Sequence, residues 1–294
     1  MLSKPDVSSL ARAALAAAAI ATGLCALALP ALAQDAPAPR TAFRVCQDPN
    51  NPPFSSPRSD GIENKVAELF AKELGLPVEY YSFPQRLAFV RNTLRYKLPG
   101  RDYPCDIIMG VPAGYDQVSV TKPYYRSTHA LVYAPGKGLD GVKTVEDFLK
   151  LDRAVLSKLR IGLYDRSPGS EWLNRHGLVD QGVPYQMMSA DPAFYAGQLI
   201  DQELAGGKID AAIVWGPLAG YYAKRVTNPK LTVLPMKSEP NIKFDFAIAM
   251  GVRYGEREWK QQVEALIDKL QPQITAILND FGVPLIEEPP AAAR

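Results

Sequence analysis

Between residues 43 and 111 the apolar positions switch repeatedly between two spacings, the short runs of buried strands and the three-to-four spacing of amphipathic helices. Strands are predicted at 43–47, 78–83 and 106–111, the last carrying the apolar run DIIMGV expected of a strand covered on both faces. Ile62, Val66, Leu69, Phe70 and Leu74 share one face of a helix that stops at Gly75. Leu87, Val90 and Leu94 mark the inner face of a second helix over 85–97. Strands alternating with helices predict a parallel, doubly wound sheet.

The same alternation restarts after Pro135-Gly136. Thr144 and Asp147 resemble a capping box for a helix reaching toward Leu156. LRIGLY, PYQMM, IDAAIVW and LTVLPM read as strands, and helices are predicted from Ser167, over 194–204 and over 217–225. HALVYAP carries the chain out of the first body and FDFAIAMGV, at 244–252, is long enough to carry it back. Two helices divided at Pro272 then fill 256–281. The pattern therefore predicts two α/β lobes joined by two crossing strands. The first is discontinuous, at 41–133 and 240–284, and the second is inserted at 134–239.

The ends have a different character. Lys4 and Arg12 precede or open an Ala/Leu run that closes at Ala31-Leu32-Ala33, the pattern of a cleaved export signal over residues 1–33. Pro and Ala dominate a linker at 34–40, and a mobile tail is expected at 285–294. Removing Lys4, Arg12 and Asp6 lowers the formal net charge from +2 to +1, a balance that does not call for nucleic acid. No later segment is apolar for long enough to span a bilayer, so no stable membrane insertion is expected. The mature part retains two cysteines, Cys46 and Cys105. Export makes a disulfide between them the default, stabilising by roughly 4 kcal/mol in the chain-entropy model. The competing readings are free thiols or a metal site, for which only His129 and His176 are on hand.

Catalytic patterns are absent: there is no GxSxG, HExxH, P-loop or GxGxxG, so neither an enzyme nor a bound cofactor is indicated. His129, in the first crossing strand, and His176, at a helix C-terminus, are assigned structural roles. The loop 48–60 carries Asp48, Asn50, Asn51, Ser55 and Asp60, but prolines interrupt it and no EF-hand order for calcium or a lanthanide appears. A cleft between the lobes is the expected binding place. Its candidate lining is Phe54, Tyr115, Tyr124, Tyr125, Trp215, Tyr221 and Tyr222, aromatics on or beside strand-end loops. Ser167, Gly169 and Ser170 at a helix start offer an anion hydroxyls and free N–H groups, or form an ordinary cap. Arg86, Arg91, Arg95, Lys97 and Arg101 form a basic series that reads as a solvated face or as a docking patch for an acidic partner.

The stretch after Cys46 with PPF, LGLPVEYY, TKPYYRSTHALVY, IGLYDRSPGS and IDAAIVWG resembles type II periplasmic solute-binding proteins, the fold of amino-acid receptors of ABC importers. Two features of those receptors are missing. Their carboxylate-gripping arginine has no counterpart in PAGYDQVSV, and Trp215 stands near the position of their ammonium-binding acid. A zwitterion would be left poorly paired, at a cost of several kcal/mol. VCQDPNNPPFS, YPCDIIMGVPAGYD and DAAIVWGPLAGYYA more narrowly resemble the J proteins (MxaJ/XoxJ type) of methanol-oxidation gene clusters. That resemblance implies a periplasmic accessory working with a pyrroloquinoline-quinone (PQQ)-dependent methanol dehydrogenase and its cytochrome c. It leaves open a small-molecule ligand delivered to an importer, and does not show that PQQ or a lanthanide is held.

Overall fold

The computed structural model describes residues 39–85, 88–97, 99–189, 191 and 193–287. The leader at 1–33, residues 34–38 of the linker, Arg86 of the basic series and residues 288–294 of the tail lie outside them. The first half holds β1 (Phe43–Gln47), α1 (Ile62–Leu74), β2 (Val78–Ser82), α2 (Phe89–Asn92), β3 (Ile107–Pro112) and β4 (Ser119–Val120). β5 (Tyr125–Tyr133) leads into α3 (Val145–Leu149), α4 (Arg153–Leu156), β6 (Ile161–Tyr164), α5 (Pro168–Arg175), β7 (Gly182–Tyr185), β8 (Ala211–Trp215), α6 (Gly216–Arg225) and β9 (Thr232–Pro235). β10 (Asp245–Val252) returns the chain, and α7 (Arg257–Asp280) closes it.

The strands run in the order β2-β1-β3-β10-β5-β8-β6-β7, with β4 added to β10 and β9 to β5. β1 pairs in parallel with β2 and β3, and β6 with β7 and β8. Each group is the parallel sheet that strand–helix alternation predicts. β5 is shared between them: its residues 125–128 pair antiparallel with β10, and its residues 129–133 pair with β8. β5 and β10 are thus the two crossing strands.

Each group buries its own core. Phe43, Ile62, Val66, Phe70, Met250, Trp259 and the inner face of α7 pack on one side of the first sheet. Cys46, Val90, Leu94, Cys105 and Ile108 fill the other side. Leu131, Phe148, Leu163 and Trp172 cover one face of the second sheet, and Ile200, Leu204, Leu218 and Tyr222 the other. Between the halves, main chain meets main chain where α6 approaches the turn after α7. A Cβ on Gly220 of α6 would stand 1.7 Å from the Gly282 carbonyl oxygen. Beyond Gly282, Ser127 Oγ donates to the Pro284 carbonyl at 2.8 Å, Leu285 bridges Ser127, and the Ile286 N–H donates to Arg126 O at 3.2 Å. Leu285 and Ile286 are therefore held by hydrogen bonds to β5 rather than being part of a mobile tail.

Four of the predicted helices depart from expectation. α7 runs unbroken through Pro272. The interior proline costs about 3 kcal/mol, and burial of Leu266, Ile267, Leu270, Ile274 and Leu278 along the same face outweighs it. The 144–156 segment forms two helices, because Asp152 caps a second start by accepting from the Ala154 N–H. Among the described residues of 85–97 only α2 is regular helix, and Thr93 leaves helical geometry at its end with φ −126° and ψ −88°. Over 194–204 the regular part is a wider-wound helical turn at Leu199–Leu204.

A buried charge cluster joins strand and helix starts in the first half. The Asp106 carboxylate, at 0% exposure, accepts from Arg44 Nε at 2.8 Å and from Arg253 Nη2 at 2.5 Å. Arg253 also donates to Cys105 O at 2.6 Å and lies over the Tyr103 ring at 4.2 Å. The adjoining Cys46–Cys105 disulfide, with Cα atoms 5.3 Å apart, ties β1 to the residue before Asp106. Removing the carboxylate takes from Arg253 its buried partner and leaves it Glu256, 2.7 Å from Nη2, so Asp106→Ala is expected to destabilise by about 3 kcal/mol, with Asp106→Leu/Arg253→Met recovering part of it. Urea unfolding midpoints under oxidising conditions measure both.

Candidate functional site

The carboxyl ends of parallel strands from both halves point their loops at one cavity of about 560 Å³. The loops after β1 and β2 bring Asp48, Phe54 and Gln85. Those after β6 and β7 bring Ser167, Met187 and Met188, and Trp215 is the last residue of β8. Such convergence is where open α/β sheets leave room for ligands. The crossing strands form the floor, through His129 of β5 and Phe246 and Ile248 of β10.

Strand alternation explains which side chains arrive there. In the β5–β10 register Phe246 stands opposite Ser127 and Ile248 opposite Tyr125, so this face also carries His129. Arg126 and Asp245 occupy the intervening positions and pair with each other at 2.5 Å on the opposite face. They cannot clamp a ligand in the cavity. The floor is instead aromatic. The His129 and Trp215 rings stand 5.3 Å apart, Trp215 and Phe246 5.9 Å, and His129 and Phe246 6.1 Å, all near edge-to-face.

Charge is scarce. Among the described lining residues Asp48 is the single carboxylate, and no lysine or arginine is present. Asp48 Oδ1 accepts from the Asn50 N–H at 2.8 Å and Oδ2 from the Gln85 N–H, so this side chain organises its own loops. Lys243 reaches the Phe246 ring, 5.1 Å from its centroid, without lining the cavity. Burial lowers the His129 pKa, offset in part by a bond to the Phe244 carbonyl 2.9 Å from Nδ1. A carbonyl only accepts, so Nδ1 carries the proton and Nε2 is left as an acceptor. Tyr195 donates its hydroxyl to Asp201 at 2.8 Å and Tyr164 donates to Ala196 O. Ser167 Oγ is buried and has no partner among the described residues. Together with His129 Nε2 it is a polar point in an otherwise apolar space. Among the described residues no group of three or more His, Cys, Asp or Glu is placed to hold a metal ion.

Of the residues expected at a cleft, Phe54, Ser167 and Trp215 line the cavity. The others do not. Tyr124 and Tyr125 are 2% and 8% exposed, pack edge-to-face at 4.9 Å and belong to the first core. The reason is that β5 begins at Tyr125, earlier than HALVYAP suggests, so the pair sits at a strand start instead of in a loop. Tyr115 packs on the core around the disulfide. Gly169 is closed off by Ile213, 3.0 Å from where its Cβ would be, and Ser170 is exposed outside the cavity. Tyr221 stacks on Phe281 at 5.7 Å beneath the Arg225 guanidinium, and Tyr222 is buried beside it. His129, to which the sequence reading assigns a structural role, also lines the cavity, as do Phe246, Tyr164, Tyr195 and the methionine pair, which it does not mark. Met187 and Met188, 52% and 54% exposed, are adaptable apolar side chains at the cavity wall.

Beside the cavity, Gly110 leaves space for a carboxyl: a Cβ there would stand 2.3 Å from Glu63 Oε1. Burial, reinforced by Asp48, raises the Glu63 pKa from 4.5 to about 7. The folded state therefore binds a proton more tightly than the unfolded chain, and this group's stabilising contribution, full below 4.5, is lost as pH rises through 7. Glu63→Gln is expected to flatten that decline and to raise stability at pH 8 by about 1–2 kcal/mol, after allowing for solvent that still reaches the side chain. Thermal midpoints from pH 4 to 8 read it; parallel curves for the two proteins would contradict it.

No family model matches the chain. Protein MoxJ of Paracoccus denitrificans is 28% identical over 268 residues, 86% of this chain and 92% of the relative. The crystal structure of periplasmic binding protein XoxJ from Methylobacterium extorquens AM1 is 34% identical, with a TM-score of 0.66 over 84% of this chain and 100% of that one. MxaJ from Methlophaga aminisulfidivorans MPT is 25% identical, with a TM-score of 0.67 over 83% of this chain and 100% of its own.

Proposed function

This chain belongs to the MxaJ/XoxJ-type family of type II periplasmic solute-binding proteins, and from that membership we propose that it is a periplasmic accessory of a PQQ-dependent methanol dehydrogenase system. It takes an apolar segment of the dehydrogenase into its aromatic cavity and assists maturation or activation, alongside the cytochrome c that accepts the electrons. No covalent step on this chain is involved. The observation that carries the reading is the cavity floor. His129, Trp215 and Phe246 offer apolar edges and faces, and the described lining brings no cation to meet a free carboxylate. An amino acid would lose its hydration there without repayment in ion pairs. An aromatic or aliphatic side chain presented by a folded partner loses no such hydration.

A second reading, a receptor delivering a small uncharged organic molecule to an importer, is favoured by the cavity volume of about 560 Å³, within the range of small-molecule sites. The two separate experimentally. Trp215→Ala/Phe246→Ala is expected to weaken retention of the purified dehydrogenase at least ~10-fold while leaving the thermal midpoint of this chain within a few degrees. Unchanged retention and unchanged dehydrogenase activity would remove the cavity from the mechanism. A midpoint rise with one member of a panel of periplasmic solutes, absent in the variant, would instead establish the receptor.

A further inference from the structure

The segment 91–101 carries Arg91, Arg95, Lys97 and Arg101 and no Asp or Glu, in a chain whose formal net charge is only +2. All four are exposed. Among the described residues none of the four forms an ion pair, although carboxylates neutralise Arg44, Arg160 and Arg253 elsewhere. Tyrosines are interleaved with them. Tyr96 and Tyr254 are 40% and 61% exposed, the Arg95 guanidinium lies 6.0 Å from the Tyr254 ring, and Lys97 Nζ lies 5.8 Å from the Tyr103 ring. None of these residues lines the cavity.

Main chain beside the patch is anchored from beneath at Leu94 and Cys105. Arg253 donates to Leu94 O at 3.2 Å and to Cys105 O, the disulfide anchors Cys105, and Tyr254 donates its hydroxyl to Asp116 O at 2.8 Å. Arginine and tyrosine are among the residue types that carry most of the binding energy of protein interfaces, and anchored main chain has less freedom to lose on docking. A bilayer surface would be met by apolar side chains free to insert, whereas the Tyr254 hydroxyl here is tied back to the protein. We infer that this face docks an acidic protein surface, separately from whatever enters the cavity. Carboxylates of the partner supply the countercharge that this chain withholds from the four cations, and added salt weakens the contact.

Carbodiimide joins a lysine amine to a carboxylate in direct contact, so Lys97 reports the contact itself. The full chain is incubated with periplasmic extract of its own cells, treated with carbodiimide, and the joined peptides are identified by mass spectrometry. The expected result is a link from Lys97 to an Asp or Glu of a second protein. Its yield should fall at least ~5-fold in Arg91→Glu/Arg101→Glu and fall again on raising salt from about 0.02 to 0.3 M. Circular dichroism confirms that the variant is folded, and Arg91→Gln/Arg101→Gln replaces it if it is not. The inference is overturned if Lys97 reacts no more than the exposed Lys158 and Lys230, or if its yield ignores charge reversal. It is equally overturned if the link is absent while wild-type protein, and not the variant, sediments with phosphatidylglycerol vesicles, which would assign the patch to lipid.

Discussion

The antiparallel ladder between β5 and β10 is the constraint on which the rest depends. Four residue pairs, from Asp245 with Thr128 to Ile248 with Tyr125, join the halves. The same pairs decide by strand alternation that His129, Phe246 and Ile248 face the cavity while Arg126 and Asp245 face away. A slip of one residue would exchange the two faces and place an ion pair where the aromatic floor now lies. Thr128 Oγ1, donating to Met236 O at 2.6 Å, and the His129 N–H, donating to Phe244 O at 3.1 Å, hold the return segment against the same strand. The chemistry of the site is therefore set by register more than by any single side chain.

Local signals made much of the fold legible. β1 and α1 begin and end where the sequence places them, because a helix with one apolar stripe and a glycine stop leaves little alternative. The parallel pairing within each half follows from alternation, and the two crossings from the length of HALVYAP and FDFAIAMGV. What local reading could not weigh was competition. Pro272 looks like a helix boundary, and only the buried face of α7, visible once Leu270, Ile274 and Leu278 meet α1 and β1, shows why it is not. Asp152 could be a helix residue or a second cap, and the loop that admits the second choice is tertiary.

The site was legible in part, and for the same reason. Trp215 ends an apolar strand, Phe54 lies in a proline-rich strand-end loop and Ser167 precedes a Pro-Gly helix start, so each carries a local mark of a carboxyl-end position. His129 and Phe246 lie within strands, and nothing in a strand's own sequence states which face a neighbour leaves open. Tyr124 and Tyr125 failed in the opposite direction: their TKPYY setting suggested a loop, but pairing with β10 begins early enough to pull them into the core. The cation-free lining among the described residues follows the missing arginine of PAGYDQVSV and the presence of Trp215.

The glycine-to-glycine approach between α6 and the turn after α7 bears on how the molecule can deform. With the Gly220 backbone against the Gly282 carbonyl, there is no rotamer to flip and no cushion of side chain to compress. A side chain placed at either glycine would have to part the two backbones, so the molecule can yield there only by moving α6 away from the segment that follows α7.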